Sequence, residues 1–261
     1  LEPLNAYLGQ QLLIDTAESR LFYGQPRDAA VACSTAATYC EAMLRQPTLV
    51  RDSNAANDLA ATWLGAYRFW IDAIRSDAGD SVACYRFGPF LRKALTGRIE
   101  GPLGPLPDSP GIVGERMRLN LKLGSILLAM GQPDSANMLY ESLLREYEGR
   151  SRRLGLDEKF YHYTLALSGE ALCRLGKLNL ADARINTAEG ALAGDQTSWF
   201  RLTVGRIRSQ YYVAKCRSGK LTADEQELAW RHLLQNLDEL VRWGDNREIG
   251  KAYDNMAAWY E

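Results

Sequence analysis

Two stretches decide how this chain folds: Asn120–Leu144, NLKLGSILLAMGQPDSANMLYESLL, and Leu165–Leu192, LALSGEALCRLGKLNLADARINTAEGAL. Counted from Gly124 in the first and Gly169 in the second, the same residue classes recur at the same offsets. An aliphatic stands at +3 (Leu127, Leu172), Gly at +7 (Gly131, Gly176) and Ala at +12 (Ala136, Ala181). A bulky apolar residue follows at +16 (Tyr140, Ile185) and a small or aliphatic one at +19 (Leu143, Ala188). A spacing that occurs twice marks an internal repeat, and internal repeats set the architecture.

The chemistry of each position gives helix, tight turn, helix. Gly124 and Gly169 sit inside helical patterns, where Gly is about 1 kcal/mol worse than Ala. Such a residue is tolerated where a second helix must approach the backbone closely. Gly131 and Gly176 each follow the last apolar residue of a helical pattern, where a left-handed C-terminal cap favours Gly, and Pro133 then ends the first helix. Ala136 and Ala181 let the second helix cross the first.

These residues resemble the tetratricopeptide repeat, whose helix A reads W-x-x-L-G-x-x-Y and whose helix B reads A-x-x-x-F-x-x-A. Leu123, Gly124, Leu127, Ala136, Tyr140 and Leu143 occupy those positions, as do Gly169, Leu172, Ala181, Ile185 and Ala188. Asn120 and Leu165 replace the leading Trp, and Ser168 stands where Leu is usual. The separation of Gly124 and Gly169 is 45 residues, against about 34 in the standard repeat, so the units are extended and degenerate. The resemblance implies an all-α fold, an α-α superhelix (solenoid) of antiparallel helix pairs.

Outward from the two clear hairpins, weaker ones follow. Leu8, Leu12, Ala17 and Leu21 have helical spacing, Gly24-Gln25-Pro26 makes a turn, and Ala29, Cys33 and Ala36 fill helix B positions. Arg51 to Asp58 reads as a polar connection. The helix from Asn57 to Ile74 is aromatic (Trp63, Tyr67, Phe69, Trp70), and one buried stripe accounts for Trp63, Tyr67 and Trp70, spaced by four and three. After Ala78-Gly79-Asp80, Gly88-Pro89 should kink the next helix. The four-proline stretch Gly97 to Gly111 excludes helix, and Ile99, Leu103 and Leu106 favour a loop packed on a face over a spacer. Glu148 to Lys159 reads as a charged linker. Thr222 with Glu225 forms a capping box. The expected hairpins are 4–44, 57–96, 115–147, 160–193 and 198–243, with an unpaired helix 246–261, all in one domain over 1–261. Tyr253, Met256, Ala257 and Tyr260 repeat the helix A pattern at the chain end, an apolar stripe awaiting a helix B. Together with a start at Leu1, it suggests a piece of a longer protein.

Composition narrows the function. A net charge of -1 gives no general attraction to nucleic acid or anionic membrane, and no apolar run is long enough to span a bilayer. Five scattered cysteines without C-x-x-C read as buried small hydrophobes in a reducing, cytoplasmic setting. His162 and His232 lack placed catalytic or metal-ligating partners, so neither an enzyme nor a metal or cofactor site is expected. Arg201, Arg206, Arg208, Lys215 and Arg217 along one helix read as a solvated face.

The resemblance implies a concave groove lined by helix A residues. By position these are Leu121, Ser125 and Leu128; Ala166, Glu170, Cys173 and Arg174; and, in the aromatic helix, Arg68, Asp72 and Arg75. Leu, Ser, Ala and Glu at those positions argue against the family's clamp for a C-terminal carboxylate. The expectation is a non-catalytic module binding a protein or peptide, as the sensor or regulatory part of a larger signalling or transcription-regulatory protein. The alternatives are a scaffold that self-associates through Tyr253, Met256 and Tyr260, and a small-molecule sensor or enzyme with 97–111 as a lid.

Overall fold

The computed structural model describes residues 3–46, 53–95, 100–101, 104–106, 108–194, 199–244 and 246–260. Among them the chain is all-α. The helices are α1 (Pro3–Phe22), α2 (Pro26–Leu44), α3 (Ser53–Ala78), α4 (Asp80–Leu95), α5 (Pro110–Ala129) and α6 (Pro133–Leu154). They continue with α7 (Glu158–Arg174), α8 (Leu178–Leu192), α9 (Trp199–Arg217), α10 (Ala223–Trp243) and α11 (Asn246–Tyr260). Between α4 and α5 a two-residue antiparallel ladder pairs β1 (Glu100–Gly101) with β2 (Gly104–Pro105). No described helix is long and apolar enough to cross a membrane.

The glycine turns form as their positions predict. Gly131 and Gly176 have φ of 69° and 71°. In each turn the Gly N–H and the next N–H donate back to helix carbonyls: Gly131 to Leu128 and Gln132 to Leu127, Gly176 to Cys173 and Lys177 to Leu172. The same paired bonds close the turns at Gly24 and Gly219, satisfying carbonyls that a helix end leaves open.

Close crossing explains Gly124 and Gly169. A Cβ on Gly124 would lie 2.4 Å from Tyr140 Cε1, and one on Gly169 would lie 2.7 Å from Ile185 Cγ1. A third crossing went unread in the sequence: a Cβ on Gly205 would lie 2.7 Å from Asn236 Nδ2. Gly205 comes early in a long α9, so its partner falls 31 residues later rather than 16, and the offset hides the copy.

The chain divides into two compact units, Leu1–Leu143 with Gly149–Leu156, and Leu144–Glu148 with Asp157–Glu261. In the first, α3 packs on α1, α2, α4 and α5, and α4 also meets α5. Ala17, Ala29, Ala32, Cys33 and Ala73 form a tight cluster there with Leu21, Phe69 and Trp70 around it. Trp63 is buried, and its Nε1 and the Tyr67 hydroxyl both donate to Glu41 Oε1, at 3.1 and 3.0 Å. In the second, α9 packs on α7, α8, α10 and α11, with further contacts between α7 and α8 and between α10 and α11.

Several boundaries differ from expectation. α3 begins at Ser53, inside the stretch read as a connection. α6 runs on to Leu154 because nothing breaks it before Gly155, whose φ is 60°; Arg150, Arg152 and Arg153 therefore belong to a helix, not a linker. α4 passes through Gly88-Pro89 uninterrupted. Pro110-Gly111 opens α5 instead of ending a loop, with the Ser109 hydroxyl accepting from Ile112 N, since Pro suits a first helical turn. Ile99 and Leu103, on which the packing of the 97–111 loop depends, lie outside the described residues.

Candidate functional site

α9 organises the second unit. Four helices surround it, so its polar side chains must find partners inside the fold. Arg206 and Arg208 are two residues apart, about 200° around a helix, and so serve opposite sides. Reading them as part of a solvated face was wrong, for both are buried.

On one side, the Arg206 guanidinium donates to Glu170 Oε2 on α7 at 2.8 Å and to Glu248 Oε2 on α11 at 2.6 Å. Burial alone would raise both carboxyls. The charges of Arg206 and Lys251 outweigh it, leaving Glu170 below its usual value and Glu248 at about 2. Lys251 Nζ lies 2.5 Å from Glu248 Oε1, and Arg174 Nη2 3.5 Å from Glu170 Oε1. The Gln210 amide bridges them: its nitrogen donates to Glu170 Oε1 at 3.0 Å and its oxygen accepts from Arg174 Nε at 3.3 Å. Asn255 Nδ2 donates to the carbonyl of Arg206 itself. This arrangement ties α7, α9 and α11 together and presents Arg174, Gln210 and Lys251 above the buried charges.

On the other side, Arg208 donates to Asp182 and Glu189 on α8, at 2.6 and 2.7 Å, and to Asn186. Beside it two adjoining hollows of about 320 and 290 Å³ share Glu189 and His232 as walls. Leu192, Ala193, Val204 and Gly205 form the apolar part of the larger hollow, and Tyr211 and Tyr212 border the smaller. His232 stacks edge-on against Tyr212, ring centroids 5.6 Å apart. Burial holds its imidazole below the usual value, Arg208 adding to the effect and Glu189 and Glu239 opposing it.

The residues taken from helix A positions are mostly covered. Leu121, Leu128, Ala166, Glu170, Cys173 and Arg75 are buried; Arg68, Asp72 and Ser125 are half-buried; only Arg174 is exposed. Glu170 and Arg174 come together in the Arg206 arrangement. In the first unit Arg68 pairs with Glu115 at 3.0 Å and Asp72 with Lys122 at 2.9 Å, both across α3 and α5, while Arg75 pairs with Asp80. Burial pushes the thiols of Cys33, Cys40 and Cys173 up to about 12, so at neutral pH they are packing groups, not nucleophiles. Among the described residues no group of His, Cys, Asp or Glu is placed to hold a metal. The sequence places Arg206 and Arg208 on one helix but carries no local sign of their burial, since their carboxylate partners stand 19 to 42 residues away.

No protein-family model, curated protein or solved structure matches this chain.

Proposed function

We propose that this chain is a non-catalytic helical-repeat module, a tetratricopeptide-like stack of hairpins that binds a protein or peptide. One observation carries the reading. Four odd-numbered helices meet both the even helix that follows and the next odd helix: α1 to α2 and α3, α3 to α4 and α5, α7 to α8 and α9, α9 to α10 and α11. Repeated hairpins packed in this step bury their faces against neighbours and leave a side-chain-lined surface along one set of helices. In the second unit that surface is the one bearing Arg174, Gln210 and Lys251. A regulatory or sensor part of a larger signalling protein is the setting such modules suit; a self-associating scaffold is the second reading, favoured by the exposed Tyr253 and Tyr260 on α11.

The test is capture of partners from native lysate by the chain and by an Arg174→Ser/Lys251→Ser variant, with circular dichroism to confirm equal helicity. Loss of a captured partner by tenfold or more in the variant supports binding on this surface. Equal capture places the partner elsewhere. No partner, together with concentration-dependent dimerisation in sedimentation equilibrium, replaces this reading with the scaffold.

A further inference from the structure

The double hollow between α8, α9 and α10 is lined largely by charged and polar side chains. Its walls carry four carboxylates, Asp182, Glu189, Glu225 and Glu239, against three permanent cations, Arg201, Arg208 and Lys215. Each cation already holds a carboxylate: Arg201 to Glu239 at 3.0 Å, Arg208 to Asp182 and Glu189, and Lys215 to Glu225 at 2.6 Å. An anionic ligand would have to displace one of those pairs, and the surplus charge is negative.

The neutral groups point the same way. Asn236 is 4% exposed; its Nδ2 donates to the Leu202 carbonyl at 3.1 Å, while its Oδ1, closed off from solvent, meets no donor among the described residues. A buried acceptor left so favours a group that can supply the hydrogen. His232 adds a second acceptor. With the Ser209 hydroxyl hydrogen placed on the Gly205 carbonyl at 3.1 Å, the ring is the donor across the 3.4 Å contact to His232 Nδ1. That leaves Nε2 of the neutral imidazole with a lone pair.

We propose that this hollow is a binding site for a cationic, donor-rich group, a guanidinium or alkylammonium, seated between Glu189, Glu239, His232 and Asn236 with its aliphatic stem on Leu192 and Val204. As the side chain of a basic peptide segment such a group would specify the partner of the module; in that form the inference rests on the peptide-binding reading. A free polyamine offers the same chemistry.

The experiment is a ¹H–¹⁵N NMR titration of the whole chain with N-acetylarginine amide, spermidine and N-acetylaspartate amide. Either cationic probe should shift Gly205, His232, Gln235 and Asn236, and the aspartate derivative should not. Glu239→Gln, at a half-buried rim position, should weaken binding about tenfold without changing helicity, because it removes the surplus charge. Shifts with the arginine derivative support a peptide side chain as the occupant, and shifts with spermidine alone support a free amine. No shifts with either cation, equal shifts with aspartate, or indifference to Glu239→Gln overturns the proposal. Partner capture through the Arg174 surface would stand regardless, so the two readings fail separately.

Discussion

Arg206 and Glu170 meet across the α7–α9 interface at 2.8 Å with side chains only 2% and 7% exposed. A buried ion pair is weak evidence of net stability, since desolvating the charges offsets their attraction. Removing one partner is another matter. Arg206→Met would strand two buried carboxylates and should lower unfolding free energy by about 3–5 kcal/mol. The triple change Glu170→Leu/Arg206→Met/Glu248→Leu should recover most of that loss. Urea midpoints at constant m-value check both, and a triple variant no better than the single one would rule out stranded charge as the cause.

The same cluster sets an acid limit. Glu170 and Glu248 have carboxyls held below the usual value, Glu248 at about 2. A group depressed in the folded state binds its proton more readily when unfolded, so stability falls as pH falls. The contribution is complete above the ordinary value of 4.5 and is lost on descending toward about 2. Urea unfolding between pH 5 and pH 2 should show this slope. In Arg206→Met, burial loses its main opponent, and the slope should shrink or reverse. An unchanged slope would show that other carboxylates carry the acid limb.

Glycine crossings give a prediction with an internal control. Gly169→Ala places a methyl 2.7 Å from Ile185 Cγ1 and 3.3 Å from the Ala181 carbonyl. Overpacking of that kind costs about 1–3 kcal/mol, more than the gain of about 1 kcal/mol in helix propensity. Gly149, inside α6, has nothing among the described residues within 4 Å of an added Cβ. Gly149→Ala should therefore stabilise by about 0.5–1 kcal/mol. Thermal midpoints that move the same way for both would contradict the close crossing.

How legible these features were depended on whether their signals were local. The turns at Gly131 and Gly176 and the crossings at Gly124 and Gly169 follow from spacings within one hairpin, and the chain alone places them. Gly205 against Asn236 uses the same device, but the distance to its partner depends on helix length, which pattern cannot supply. The pairing of Arg206 with Glu170 and Glu248 spans three helices separated by 36 and 42 residues. Nothing near Arg206 distinguishes it from Arg217, which is exposed. Likewise Glu170 and Cys173 have the right register for a helix A surface but are covered by neighbouring side chains, a consequence of packing rather than position.

His232 offers a second pH test, in a separate window. Burial depresses its imidazole below 6.5, so the neutral ring is favoured in the folded state, and its contribution is complete above that value. As pH falls through the folded-state value the unfolded chain takes up the proton first, and the contribution is lost. The groups facing the ring are Glu189 from α8, Arg208, Ser209 and Tyr212 from α9, and Glu239 from its own helix. The carboxylates pull toward protonation and Arg208 away from it. An NMR titration of the ring protons should give a midpoint below 6.5, and His232→Gln should remove the stability slope above pH 4.5 while leaving the Glu248 limb intact. Protonation also turns Nε2 from acceptor to donor and neutralises the surplus charge of the hollow. Binding of N-acetylarginine amide should therefore weaken over the same range as the ring titrates. A midpoint at or above 6.5 would mean that Glu189 and Glu239 outweigh burial, and the ring would then enter the hollow as a cation, competing with the ligand it is argued to receive.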